Sequence, residues 1–129
     1  MEKSLQQFEK LVKIIEKLRS KDGCPWDREQ TLESIIHKLV EETQETEQAI
    51  QNKDYQNLKE ELGDVLINVL LQIQIAKEDK LFTLNDVIKN ATDKIIRRHP
   101  HVFGDKNFST SKEVLKEWNR IKAQEKNKN

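Results

Sequence analysis

"VLINVLLQIQIA", residues 65–76, is apolar on almost every side, with only Asn68, Gln72 and Gln74 interrupting it. Helical periodicity dominates the chain and strand-like alternation is nearly absent, so this run reads as a helix. A helix with apolar residues nearly all round is stable only when buried on most sides. In a chain of 129 residues, a partner subunit is the expected cover for the extra face, through Ile67, Leu70, Leu71 and Ile75. The expectation is a homo-oligomer, a dimer or a tetramer made as a dimer of dimers.

Working outward, the rest of the chain also reads as helices. Leu5, Phe8, Leu11, Val12, Ile15 and Leu18 form the stripe of a first helix that ends before "KDGCPWD", a loop marked by Gly23 and Pro25. Leu32, Ile35, Ile36, Leu39 and Val40 mark a second helix from about Thr31. "NKDY" then interrupts, with Asp54 as N-cap of a third helix through about residue 78. A fourth begins at Thr83, with Asp86 three residues on in a capping-box pattern, and stops at Pro100. After the loop "HPHVFGDKNFS", Thr110 and Glu113 cap a last helix that includes "EWNRIKAQEK". The fold class expected is all-α: a bundle of about five helices with a central four-helix core. Residues 1–129 read as a single domain, with 120–129 as a frayed tail.

Composition narrows the function classes. Lys plus Arg and Asp plus Glu both number 23, so the formal net charge is zero. No basic field points to a nucleic-acid polymer, and no acidic tail points to a disordered partner. A single cysteine makes no intrachain disulfide, which suits a reducing cytosol. The N-terminus "MEKSLQQFEKLVK" is amphipathic and carries acids, unlike a signal peptide. No apolar run approaches the roughly 18 residues of a membrane span. A cytoplasmic protein without a membrane partner is expected.

Acids cluster instead. Glu42 with Glu45, and Glu61 with Asp64, are i, i+3 pairs, and such pairs share a helix face. Both pairs lie at the edge of an apolar stripe. If the second and third helices form an antiparallel hairpin, the pairs face each other at the rim of the core. Gly63, about 1 kcal/mol less favourable than Ala in a helix, sits inside the second pair and suggests a close approach. Four converging carboxylates repel unless a cation joins them, and all-oxygen ligands suit Mg²⁺ or Mn²⁺ rather than zinc. The plainer reading is ordinary surface acids, since ExxE and ExxD are common in helical proteins. Glu33 and His37 are spaced four apart and do not make the Glu-x-x-His pattern of a di-iron bundle.

Cations weigh toward a site. Lys94 and Arg98 are i, i+4 with Asn90 one turn earlier, Lys38 precedes Glu42 by one turn, and Trp118 and Lys122 repeat the i, i+4 spacing. A polyphosphate needs such cations beside an acid–metal nest, and a tryptophan beside a lysine offers a base a flat platform. Each residue also has a structural reading: Arg97 and Arg98 as charges at a helix C-terminus, Trp118 as core. His99 and His101 in "HPH" read as loop-shaping, and Cys24 as structural.

These residues resemble the MazG nucleotide pyrophosphohydrolases, all-α enzymes of the same superfamily as dimeric dUTPases. The family signature E-E-x-x-E, a spacer, then E-x-x-D is matched by Glu41, Glu42 and Glu45, then Glu61 and Asp64. "CPWDREQT", "LVEET", "EELGDVL" and "RRHPHVFGD" follow the family's order over most of residues 20–125. The resemblance implies Glu42, Glu45, Glu61 and Asp64 as metal ligands, with Mg²⁺ as cofactor and Mn²⁺ as an alternative. It implies phosphate contacts at Lys38, Lys59, Lys94 and Arg98, and nucleobase contacts at Trp118 and Lys122. The implied reaction takes a nucleoside triphosphate to its monophosphate and pyrophosphate, in house-cleaning or in regulation of the nucleotide pool. Either Glu41 or Glu45 is the general base, while Lys94 and Arg98 stabilise the leaving pyrophosphate. The alternatives are a narrow dUTPase- or dCTPase-like pyrophosphatase, and a non-catalytic helical oligomeric binding module.

Overall fold

A computed structural model gives the protein's architecture, and residues 1–127 are described. Seven helices follow one another: α1 (Glu2–Arg19), α2 (Pro25–Glu29), α3 (Leu32–Gln51), α4 (Tyr55–Glu78), α5 (Leu84–Arg98), α6 (Pro100–Phe103) and α7 (Ser111–Asn127). There is no strand among the described residues. The all-α class and the five long helices are those the periodicity indicates. The two additional helices are single turns that begin with Pro25 and Pro100 at the N1 position. Both prolines read as breaks, yet a proline at N1 is preorganised to start a helix because its missing N–H is an orphan there anyway.

The chain divides into two compact units, 1–84 and 85 onward. In the first, Ile15 of α1, Ile35 of α3 and Leu70, Leu71 and Ile75 of α4 are buried together. Phe8, Leu11, Val12, Leu32 and Leu84 pack around them. The α3–α4 pairing is the main helix contact, with α1 laid against α4. Inside the seam, the buried Asn68 donates from Nδ2 to the Ile35 carbonyl (3.1 Å), and its Oδ1 accepts from Gln72 (2.7 Å). A buried amide is tolerable only when so occupied.

Local chemistry fixes the helix ends. Thr31 and Ser34 form a reciprocal capping box at the start of α3. Asp54 caps α4 through the Asn57 N–H (3.2 Å). Between them the turn closes on Lys53 in the left-handed region (φ 55°). Its N–H bonds the Ile50 carbonyl, and the Asp54 N–H bonds that of Ala49, a Schellman closure. The end of α1 is tied down by Arg19. Its guanidinium donates to the carbonyls of Asp27 (2.5 Å) and Gln30 (2.8 Å) and to both oxygens of Glu78.

The apolar excess of α4 lies only in part where the sequence reading puts it: of the four residues expected to face a partner, Ile67 is exposed and the other three are not. Leu70, Leu71 and Ile75 are buried within the single chain, because α1 and α3 cover them from two sides. The residues left open are Leu62, Leu66, Ile67 and Val69, of which Leu62 is 53% exposed.

In the second unit, Glu125 of α7 binds Arg97 (2.9 Å) and Arg98 (3.0 Å) of α5, and Glu117 binds Lys106 and Arg120. Thr110 and Glu113 cap α7 as expected. The helix runs through Asn127, so the expected fraying from residue 120 is not seen. Glu125 and the buried Ile121 anchor that stretch. Residues 128–129 of the expected tail lie outside the described residues. Among the described residues, no helix is long and apolar enough to cross a membrane.

Gly23 supplies a strict steric test. A Cβ there would meet the Leu18 and Lys17 carbonyl oxygens at 2.2 and 2.3 Å, and backbone cannot step aside as a flexible side chain can. Gly23→Ala should cost about 1–3 kcal/mol, the range of overpacking, read as a lowered urea midpoint. An unchanged midpoint would contradict this packing of the α1–α2 turn.

Candidate active site

The hairpin of α3 and α4 converts sequence spacing into a site. The helices are joined by three residues, so they run antiparallel and equal distances from the turn lie opposite each other. Glu45 is six residues before the end of α3 at Gln51, and Glu61 is six residues after the start of α4 at Tyr55. Glu42 and Asp64 are each nine residues from those same ends. The acids therefore stand as two rungs across the seam, Glu45 with Glu61 and Glu42 with Asp64. The electrostatics agree: Glu45 is the main neighbour acting on Glu61, and Asp64 is the main charge acting on Glu42.

Burial makes the rungs costly. Glu42 is 8% exposed, and its Oε2 is buried with no hydrogen-bond partner. Burial first, then the charge of Asp64, pushes the Glu42 carboxyl above its usual range, against the pull of Lys38 one turn away. Glu61 is pushed up as well, first by the hydrogen-bonding approach of the Glu45 carboxyl, then by burial. Two carboxylates bond only if one carries a proton. With both ionised neither can donate, and Glu61 Oε2 is likewise buried without a partner.

A cleft of about 450 Å³ opens on this wall, lined by Lys38, Glu41, Glu42, Glu45, Asp64 and Asn68, with Trp26 and Asp27 of α2 on its other side. The Lys38 ammonium sits 5.2 Å from the centre of the Trp26 ring. Sequence reasoning missed Trp26 and Asp27 as site residues; only the "CPWD" motif carried a hint of them. Gly63 has nothing within 4 Å of where a Cβ would stand, so the close approach it suggests is not made within this chain. Lys59 is exposed on α4 and does not line the cleft.

Lys94, Arg98, Trp118 and Lys122 belong to the second unit. There Arg98 is held by Glu125, and its guanidinium lies over the Trp118 ring at 5.0 Å. The His99 ring meets Trp118 edge-on, and His101 packs against Phe108, in keeping with loop-shaping roles.

The description "MazG nucleotide pyrophosphohydrolase domain" matches residues 30–103, from the residue before the α3 cap to the end of α6. The chain belongs to that family. The MazG relationship extends beyond the matched segment. A Thermotoga maritima protein named nucleoside triphosphate pyrophosphohydrolase/pyrophosphatase MazG is 53% identical over 121 residues, covering 94% of this chain. The Escherichia coli K12 nucleoside triphosphate pyrophosphohydrolase is 42% identical over 123 residues, covering 95%. The chain spans 46% and 47% of those two relatives, about half their length. The crystal structure of a MazG-related protein from T. maritima superposes with a TM-score of 0.75 at 34% identity, covering 89% of this chain and 98% of that one.

The donor set of the MazG acids fits a hard divalent cation. All the side chains offer oxygen, two of those oxygens are buried without a donor, and the repulsion among them is what such an ion would relieve. As placed, no three His, Cys, Asp or Glu side chains among the described residues already frame an ion, so the fit rests on the orphan oxygens and the charge.

The raised carboxyls set a pH dependence. The folded state holds protons on Glu42 and Glu61 more tightly than the unfolded chain, whose carboxyls titrate near 4.5. The contribution of these two carboxyls to the stability of the metal-free protein is therefore fullest below that value and falls as pH rises through the raised folded values. Glu42→Gln removes part of the fall. In chelator it should melt a few degrees above the parent at pH 7 and converge with it near pH 4. A difference that is the same at both pH values would contradict this origin.

Proposed function

We propose that this chain hydrolyses nucleoside triphosphates at the α–β bond, releasing the monophosphate and pyrophosphate with Mg²⁺, or Mn²⁺, as cofactor. One observation carries the reading: two rungs of carboxylates across a helical hairpin, with a buried donor-less oxygen on Glu42 and another on Glu61. The names of the MazG relatives support it. Glu42, Glu45, Glu61 and Asp64 would hold the cation. When bound, the ion supplies positive charge to the phosphate oxygens and makes a nearby water more acidic.

The chain's own residues do the rest. Glu41 and Glu45 are exposed at the cleft, and either can take the proton of a water whose oxygen attacks the α-phosphorus. The bond from that phosphorus to the α–β bridging oxygen breaks, and pyrophosphate leaves in one piece. Lys38, on the acid wall itself, meets phosphate oxygens. Lys59, Lys94 and Arg98 are the further phosphate cations of this reading, and Lys122 a contact at the base end. Arg98 reaches a phosphate only by sharing or leaving Glu125, whose carboxyl the two arginines, Arg97 first, hold down at about 2.

Hydrolysis in ¹⁸O-labelled water tests the bond choice. The label should appear in the nucleoside monophosphate, with none in orthophosphate. Glu61→Gln should lower the rate by about a hundredfold or more, and Lys94→Ala or Arg98→Ala should lose about 2–4 kcal/mol of transition-state stabilisation, as for one oxyanion donor. Label in orthophosphate, or full activity in Glu61→Gln at saturating Mg²⁺, would refute the scheme.

We further propose that the chain works as a homo-oligomer. Leu62, Leu66 and Val69 leave one face of α4 open in one chain, while Ile67 lines the cleft, and apolar surface of this kind marks an interface. Sedimentation at micromolar concentration should show a dimer or tetramer. A stable soluble monomer would overturn the assembly and leave the chemistry to be judged separately.

A further inference from the structure

The acid chemistry leaves one wall of the cleft unused. Trp26 is 50% exposed there, and the backbone that carries it is unusually well fixed. Gln30 Nε2 donates to the Trp26 carbonyl (3.0 Å), and Arg19 donates to the next carbonyl, that of Asp27 (2.5 Å). Arg19 in turn is locked to Glu78. An indole on so short a helix could have been left to drift; here it is pinned and still half open to solvent. Lys38, between the indole and the acids, lies 5.2 Å from the ring centre. A flat apolar face, then a cation, then carboxylates matches a nucleotide in the same order: base, phosphates, metal.

We propose that Trp26 is the stacking surface for the nucleobase, and that Arg19 is the residue that positions it. This rests on the pyrophosphohydrolase reading and adds the residue that touches the base. Stacking on an indole tolerates any base, because each has a π-face. A cleft that grips the base this way accepts nucleoside triphosphates broadly. Each indole has a cation over its ring, Lys38 at 5.2 Å for Trp26 and Arg98 at 5.0 Å for Trp118. But Trp118, the tryptophan first assigned to the base, also has His99 against it and its cation tied to Glu125.

The chain has two tryptophans, so two single-tryptophan proteins separate them: Trp118→Phe reports Trp26, and Trp26→Phe reports Trp118. Each is titrated, with Mg²⁺, with an α,β-methylene nucleoside triphosphate and with inorganic tripolyphosphate, which has no base. The Trp26 emission should change with the nucleotide well beyond the change that tripolyphosphate causes by engaging Lys38. Kinetically, Trp26→Ala should raise KM about tenfold with the loss falling on KM rather than kcat, and Trp26→Phe should recover most of it. Arg19→Lys keeps the charge but loses the fork, and should raise KM in the same sense.

A nucleotide that raises the melting temperature without moving the Trp26 emission beyond the tripolyphosphate change overturns the proposal alone. So does a Trp26 signal that follows protein concentration instead of nucleotide, the mark of a subunit contact. If neither the nucleotide nor tripolyphosphate shifts the melting temperature, the pyrophosphohydrolase reading fails and takes this proposal with it.

Discussion

Arg19 keeps only 8% of its side chain in solvent, and a guanidinium in that position must fill its N–H groups with partners or weigh heavily against folding. It does so with four oxygens: two backbone carbonyls that bracket the end of α2 and both oxygens of Glu78 near the end of α4. The last turn of α1, the whole of α2, the approach to α3 and the last turn of α4 are thereby fixed to one point. Glu78 responds in kind, its carboxyl held below the usual range chiefly by Arg19. Without that junction the short α2 would be held to α1 and its loop chiefly by the Cys24 N–H on the Leu18 carbonyl and by Arg28 on the Lys21 carbonyl, and the far wall of the cleft would lose its tie to α4.

The acid rungs of the first unit and the ion pairs of the second treat carboxylates in opposite ways. In the second, Glu117 and Glu125 each take two cations, and both carboxyls are held below their ordinary range. In the first, Glu42 and Glu61 are pressed against other acids and raised, although both helices also carry lysines. A fold that can neutralise its carboxylates in one place and leaves them opposed in another keeps unfavourable charge at the rungs. A cation bound there would be linked to stability, since whatever relieves the repulsion would also hold the hairpin together.

The long helices were legible because their apolar residues recur at the helical period and their caps are encoded locally at Thr31, Asp54, and Thr110 with Glu113. The acid rungs were legible for the same reason, since a short turn and equal counts on either side leave little freedom. Tertiary choices were not. Nothing in residues 65–76 tells which side α1 will cover, so Leu70, Leu71 and Ile75 were expected to face a partner and are buried within the chain instead. Trp26 escaped because its role depends on Arg19 and Lys38, seven and twelve residues away, and because Gly23 and Pro25 hid a helical turn inside a loop.

The turn at 52–54 has a consequence beyond connecting two helices. Each residue in a helix advances the face by about 100° and the height by about 1.5 Å. Inserting one residue into that turn, or deleting one, would shift the register of α4 against α3 and set the rungs at unequal heights. Alternatively, α4 would rotate, and Leu70, Leu71 and Ile75 would leave the core together with Glu61 and Asp64 leaving their rungs. Core and site share the same register, so the turn cannot change length for the benefit of either one. The fifteen residues between Glu45 and Glu61 act as a ruler: viable length changes are confined to segments outside it.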